Sequence, residues 1–131
     1  MPRLKGLDHV GLKVTDMDKS LDFYQRLGLT VLRTSGPNAE GFRSAVVQVG
    51  NQELNVFSHP DFVSTGAENP VGMDHFCLLA DAASIEDVVA ELRAAGIDVV
   101  RGPVQRREGM ALFVHDPDGV LVELQTKNPP A

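Results

Sequence analysis

The feature that most constrains the fold is an internal repeat. The segment LDHVGLKV at residues 7–14 returns as MDHFCLLA at residues 73–80, with a histidine in the third place of each. The likeness continues downstream, where Gly28 in the first half matches Gly96 in the second. A repeat of this kind indicates two copies of one structural unit that fold in the same way.

Each copy has the pattern of a strand, a helix and three further strands. Alternating apolar residues and turn signals predict strands over 7–14, 29–34, 42–49, 52–58, 73–80, 97–101, 111–115 and 120–126. Capping residues and helical spacing predict one helix after Thr15 or Asp16 and another over 84–95. We therefore expect an α+β fold of two pseudo-symmetric βαβββ modules, in a single domain of residues 1–131. The modules are expected at residues 5–58 and 73–127, with a connector at 59–72.

Composition and charge exclude several functions. The net charge is −6 and the basic residues are scattered, so we expect no nucleic-acid partner. No apolar run approaches the roughly 18 residues of a membrane span, and the first ten residues lack a signal-peptide pattern. The single cysteine, Cys77, suits a reducing compartment. These features predict a cytoplasmic protein that acts on a small molecule without a membrane partner.

The repeat also predicts a metal site. Matching the two halves places Asn55 of the first copy where Glu123 stands in the second. A pseudo-twofold arrangement of the sheets would bring His9, His75 and Glu123 into one cavity. Two imidazoles and a carboxylate suit a divalent first-row metal with open positions, with iron or manganese favoured and zinc, nickel or cobalt possible.

The segments LDHVGLKVTDMDKSLDFYQRLGL, MDHFCLLA and DPDGVLVEL together resemble the vicinal oxygen chelate superfamily. That superfamily includes glyoxalase I, extradiol dioxygenases, methylmalonyl-CoA epimerase, and fosfomycin- and bleomycin-resistance proteins. The resemblance covers about residues 6–126. It implies paired βαβββ modules that form a cupped, barrel-like mixed sheet, and a metal held by His9, His75 and Glu123. It also implies a homodimer.

The fourth position of the site departs from glyoxalase I and the epimerase, which carry Glu where this chain has Asn55. A carboxylate can accept a proton at neutral pH and an amide cannot. Asn55 is then a weak fourth ligand or a hydrogen-bond donor to bound water or substrate, while Glu53, two residues earlier on the same strand face, is the alternative. Gly11 replaces the hydroxyl residue expected of a fosfomycin-resistance protein. Arg43, Arg106 and Arg107 could bind an anion, although such residues usually belong to the solvated surface.

The resulting hypothesis is a metal-dependent enzyme, most consistent with a dioxygenase-type oxidoreductase acting on a small oxygen-bearing substrate. The alternatives are a glyoxalase-type isomerase or lyase and a metal-free drug-binding protein of the bleomycin-resistance type. The sequence identifies no catalytic acid–base residue. The side chains expected to line the pocket are Phe57, Cys77, Met110 and Phe113.

Overall fold

The computed structural model describes residues 1–3, 6–63, 73–106 and 108–127. The chain divides into two compact units, Met1–Thr65 and Gly66–Ala131. Most of the connector expected at residues 59–72 lies outside the described residues. Among the residues that are described, no helix is long and apolar enough to cross a membrane.

The first unit is a four-stranded mixed sheet with one helix. Strand β1 is parallel to β4, and the other neighbours are antiparallel, in the order β1-β4-β3-β2. The elements are β1 (His9–Val14), α1 (Met17–Arg26), β2 (Thr30–Ser35), β3 (Arg43–Val49) and β4 (Gln52–Ser58).

The second unit repeats this topology. Its sheet has the order β5-β8-β7-β6, again with the first strand parallel to the last and the rest antiparallel. The elements are β5 (His75–Leu79), α2 (Ile85–Ala94), β6 (Arg101–Gln105), β7 (Gly109–His115) and β8 (Leu121–Lys127). The α+β class and the two βαβββ modules are thus confirmed.

Each sheet has one apolar face, and alternation along the strands leaves the opposite face for polar side chains. In the first unit the buried side chains of Leu12, Val14, Leu54 and Val56 share the apolar face. In the second unit the corresponding face carries the buried residues Leu112, Val114, Val122 and Leu124. The candidate ligands therefore all lie on the polar faces of their sheets.

Local signals fix the helix ends. Asp16, rather than Thr15, is the N-cap of α1, and its Oδ1 accepts a hydrogen bond from the Lys19 amide at 3.1 Å. Ser84 caps α2 in the same way, through the Asp87 amide at 3.2 Å. These contacts satisfy amide groups that have no partner inside the helix.

The predicted strand over 97–101 is wrong in its position, because the observed strand β6 covers Arg101–Gln105. The Val100 amide does donate to the Phe113 carbonyl at 2.8 Å, so the apolar run reaches the edge of the sheet. The pairing then shifts register between Arg101 and Val104, and Gly102 within this bulge has a φ of 89°. Only glycine adopts such a φ readily. The alternation of apolar residues in the sequence does not show that strand pairing resumes after the bulge at Gly102.

Candidate metal site

The strand registers make Asn55 and Glu123 structural equivalents. Asn55 on β4 lies opposite Gly11 on β1, two residues after His9. Glu123 on β8 lies opposite Cys77 on β5, two residues after His75. The equivalence predicted by matching the two halves of the sequence is therefore confirmed, and each polar sheet face carries one histidine and one of these two residues.

His75 is held between two carboxylates in the second unit. Its Nδ1 lies 2.7 Å from Oδ2 of Asp74, and its Nε2 lies 3.0 Å from Oε1 of Glu123. The Glu123 side chain is only 10% exposed, so its charge is largely removed from water. Burial of a carboxylate is unfavourable unless a proton, a cation or hydrogen bonds compensate it.

The donor atoms of this pair fit a metal ion. When Nδ1–H donates to Asp74, the Nε2 lone pair faces the Glu123 carboxylate, and the contact is favourable only with a proton or a cation between them. A carboxylate bonded to the ring nitrogen that does not bind the metal is also the arrangement that orients metal-ligating histidines. Two neighbouring ligand atoms, each about 2.1 Å from an ion and at right angles, lie about 3.0 Å apart. The observed separation of 3.0 Å is compatible with that spacing and equally with a direct hydrogen bond.

His9 has the same support in the first unit. Its Nδ1 lies 2.9 Å from Oδ2 of Asp8, the residue that directly precedes it, which leaves Nε2 as the ring nitrogen that this contact does not use. Within the described residues, no group of three or more His, Cys, Asp or Glu side chains has the spacing of a metal site. The ligand set of His9, His75 and Glu123 therefore stays a prediction.

The fourth position carries an amide whose oxygen has no hydrogen-bond partner among the described residues. Oδ1 of Asn55 is buried and makes no hydrogen bond to any of the described residues. A buried acceptor of this kind is costly unless a ligand or water satisfies it. Glu53, the alternative, is the cross-strand neighbour of His9 and shares its sheet face.

Three of the four expected pocket residues lie on the polar faces of their sheets. Phe57 lines a cavity of about 420 Å³ in the first unit, with Asn38 and Phe42. Cys77 and Phe113 are the cross-strand neighbours of Glu123 on either side. Met110 instead pairs with Thr126, which places it on the opposite face of β7 from Phe113. Its position in the sequence suggested the pocket, but strand alternation turns its side chain away from Glu123.

The Cys77 thiol is protonated at neutral pH. Burial and, to a smaller extent, the nearby Glu123 carboxylate raise its pKa to about 11, although Lys127 acts in the opposite direction. Its Sγ lies 3.8 Å from Oε1 of Gln125, a weak contact. A thiol in this state is a poor nucleophile, although the residue is exposed.

Two arginines beside Glu123 were not identified from the sequence as a unit. The guanidinium carbons of Arg101 and Arg106 lie 5.0 and 5.6 Å from the centroid of the Phe113 ring. Arg106 Nε also lies 3.8 Å from Oε2 of Glu123. Arg101 matches Arg33 of the first copy, and this match was the signal available in the sequence. Its contact with Phe113 follows from the pairing of the two residues across β6 and β7, just before the register shift.

Comparison with known proteins places this architecture in a family. Residues 6–124 match the model of the Glyoxalase/Bleomycin resistance protein/Dioxygenase superfamily. The Glyoxalase domain-containing protein RDO1 of Mycosarcoma maydis is 31% identical over 128 residues, which cover 94% of this chain and 69% of the relative. Lactoylglutathione lyase of Escherichia coli O157:H7 is 31% identical over 121 residues, covering 88% of each protein.

A solved structure agrees with the sequence relatives. The crystal structure of a glyoxalase family protein from Enterococcus faecalis matches with a TM-score of 0.78 and 26% identity, over 92% of this chain and 97% of that one. Paired βαβββ modules with a histidine on each first strand thus define a protein of the glyoxalase-like fold. The chain belongs to the Glyoxalase/Bleomycin resistance protein/Dioxygenase superfamily.

Proposed function

We propose that this protein is a metal-dependent enzyme that acts on a small oxygen-bearing substrate, with His9, His75 and Glu123 as the metal ligands. Iron or manganese is the favoured ion, and zinc, nickel and cobalt also suit two imidazoles and a carboxylate. The protein is proposed to be a cytoplasmic homodimer and a single domain over residues 1–131. The His9 ligand of each metal site then belongs either to the chain that provides His75 and Glu123 or to the other chain of the dimer.

The observation that carries the proposal is the His75–Glu123 pair. Its donor atoms face each other at 3.0 Å, and Asp74 occupies the other ring nitrogen of His75. The Asp8–His9 pair provides a second imidazole whose Nδ1 also contacts the carboxylate of the preceding residue. Metal-ligating histidines almost always have a partner of this kind on the other ring nitrogen.

The proposed chemistry divides between the ion and the chain. A bound divalent ion acts as a Lewis acid that stabilises negative charge on substrate oxygens. Asp8 and Asp74 hold their imidazoles in one orientation, and the Asn55 amide donates a hydrogen bond or satisfies its buried Oδ1 with a bound group. The buried Phe113 ring, directly opposite Glu123, keeps water away from one side of the Glu123 carboxylate.

The amide at position 55 favours dioxygenase-type oxidation over proton transfer. Glyoxalase-type isomerisation requires a base beside the substrate carbon, and Asn55 cannot accept a proton at neutral pH. Oxidation of a substrate with two adjacent oxygens requires open metal positions, which three protein ligands leave available. We therefore place the oxidoreductase first.

Glyoxalase-type isomerase or lyase activity is the second candidate. It is supported by the likeness to lactoylglutathione lyase and by Glu53, the carboxylate opposite His9. In that case Glu53 would take the role of the base. The hemithioacetal of glutathione and methylglyoxal is the substrate that tests it.

The first experiment is metal analysis of protein purified without chelator. We expect one ion per chain in the wild type, and loss of the ion in His9→Ala, His75→Ala and Glu123→Gln. Asn55→Ala is the matched control and keeps the ion, because its amide is at most a weak ligand. Retention of the ion by both histidine variants would contradict the proposal. Tight binding of an aromatic drug without any ion would instead support the drug-binding alternative.

The second experiment separates the reactions. The iron(II)-loaded protein is assayed for oxygen consumption with vicinal diols, and the wild type is assayed for isomerisation of the hemithioacetal. Oxygen consumption lost in Glu123→Gln supports the first candidate. Isomerisation that survives Asn55→Ala and is lost in Glu53→Gln would establish the second and overturn the first.

A further inference from the structure

A row of side chains crosses the polar face of the second sheet next to the proposed ligands. Because directly opposed residues on neighbouring strands share a face, Arg101, Phe113, Glu123 and Cys77 stand side by side across β6, β7, β8 and β5. Phe113 is only 2% exposed, although it lies on the polar face. The Arg101 and Arg106 guanidiniums and the His75 ring, 5.9 Å away, all approach its ring.

The two arginines beside this row differ in whether a carboxylate lies close to them. Arg106 approaches Glu123, at 3.8 Å, and that carboxylate already faces His75. Arg101 has no ion pair with a carboxylate in the part of the chain that the structure describes. The nearby pair of Lys127 and Glu108 is closed on itself, with Nζ and Oε2 2.6 Å apart. Arg101 therefore presents an exposed guanidinium that pairs with no carboxylate of the described residues, in the same row as Glu123.

Contact with an aromatic ring positions a guanidinium without neutralising it. The ring face attracts the cation, and the planar fork of N–H groups keeps its edge available for hydrogen bonds. Such a fork matches the two oxygens of a carboxylate. A divalent ion bound to Glu123 would weaken the attraction between that carboxylate and Arg106. The Arg106 guanidinium would then be available as a second group for binding an anion.

We propose that Arg101 and Arg106 form an anion-binding pair beside His75 and Glu123, and that the substrate carries a carboxylate group held by this pair. The inference rests on the proposed function, because it places this carboxylate on the molecule whose other oxygens meet the metal. Arg101 is the principal contact and Arg106 the second. Both act on binding and orientation of the substrate.

The test compares two probes that differ only by the carboxylate. Catechol and 3,4-dihydroxybenzoate are titrated into manganese-loaded and metal-free protein, and the dissociation constants are measured by calorimetry or NMR. We expect 3,4-dihydroxybenzoate to bind about ten- to a hundredfold more tightly than catechol, the range of one or two charge-assisted hydrogen bonds. Arg101→Gln should reduce this preference about tenfold, and Arg106→Gln should also reduce it.

Two variants control for lost charge and lost packing. Arg93→Gln removes one positive charge from the end of α2 and should leave the preference unchanged. Arg101→Lys keeps the charge but not the fork, and should give an intermediate preference while preserving the circular dichroism spectrum. Full preference in both Arg101 variants, or no preference for the carboxylate in the wild type, would overturn the inference.

The same titrations separate the two proposals. If manganese tightens neither probe but the carboxylate is still preferred in metal-free protein, the metal proposal fails and the anion-binding pair stands. If manganese tightens both probes equally and the carboxylate adds nothing, the metal proposal stands and the anion-binding pair fails.

Discussion

At the scale of single residues, the proposed chemistry depends on an amide at the position where the second module has a carboxylate. Asn55 and Glu123 hold equivalent places opposite the first strands of their modules, and only Glu123 can carry negative charge. The site is therefore asymmetric although the fold is duplicated.

Restoring the carboxylate at position 55 should add proton-transfer activity. We expect Asn55→Glu to isomerise the hemithioacetal of glutathione and methylglyoxal at least about a hundredfold faster than wild type, the lower range for a positioned base. Asn55→Gln is the matched control, with the same chain length and no base. Equal gains in the two variants would show that size, not basicity, limits the reaction.

The raised pKa of Cys77 predicts slow alkylation. Because the pKa is about 11 in the folded protein against an ordinary value of 9.0, the thiol stays protonated at pH 9, and its contribution to stability declines as pH rises from about 9 to 11. The rate of alkylation by iodoacetamide in metal-free protein should therefore have its midpoint near pH 11. Glu123→Gln removes one cause of the shift and should lower that midpoint. If the midpoint does not change in this variant, the Glu123 carboxylate does not contribute to the raised pKa of Cys77.

At the scale of elements, the close approach of β7 and β8 depends on a glycine. A Cβ on Gly109 would overlap the backbone carbonyl of Thr126, whose strand is the direct neighbour. The two strands carry Phe113 and Glu123, so a forced separation would also disturb the site.

Gly109→Ala should therefore lower the free energy of unfolding by about 1–3 kcal/mol or more, the cost of overpacking a close contact. Urea denaturation measures the change. Gly119→Ala is the control, because a Cβ there meets open space and only the φ of 81° opposes it, at a cost of about 1 kcal/mol. A smaller loss for Gly109 than for Gly119 would contradict the expected clash.

The sequence predicted the elements well where local signals were strong. Duplicated segments, capping residues and the turn after His115 located seven of the eight strands and both helices to within a few residues. Strand β6 was misplaced, because the bulge at Gly102 shifts the pairing and alternation does not reveal it. Periodicity did place Glu123 and Asn55 on equivalent faces. The contacts of Arg101 and Arg106 with Phe113 depend on rotamers and register, which one sequence does not encode locally.

At the scale of the whole molecule, the metal proposal links residues from both modules. His9 belongs to the first unit and Glu123 to the second, so binding of one ion would couple units that share no strand. This coupling is what the single-domain proposal requires.

Metal should therefore stabilise the intact protein through both modules. We expect manganese at a hundredfold excess over its Kd to raise the free energy of unfolding by about 2.7 kcal/mol. Thermal denaturation with and without manganese measures the change. His9→Ala and Glu123→Gln should each abolish the gain, whereas His115→Ala, at the exposed end of β7, should retain it. A full gain in His9→Ala would show that the first module contributes no ligand.

The contacts of Asp8 with His9 and of Asp74 with His75 join neighbours in the chain. An imidazole and the group that aims it are thus inherited as a dipeptide. A copy of the module that keeps this dipeptide keeps the orienting contact, whereas side chains on other strands, such as Asn55 and Arg101, can change without disturbing it.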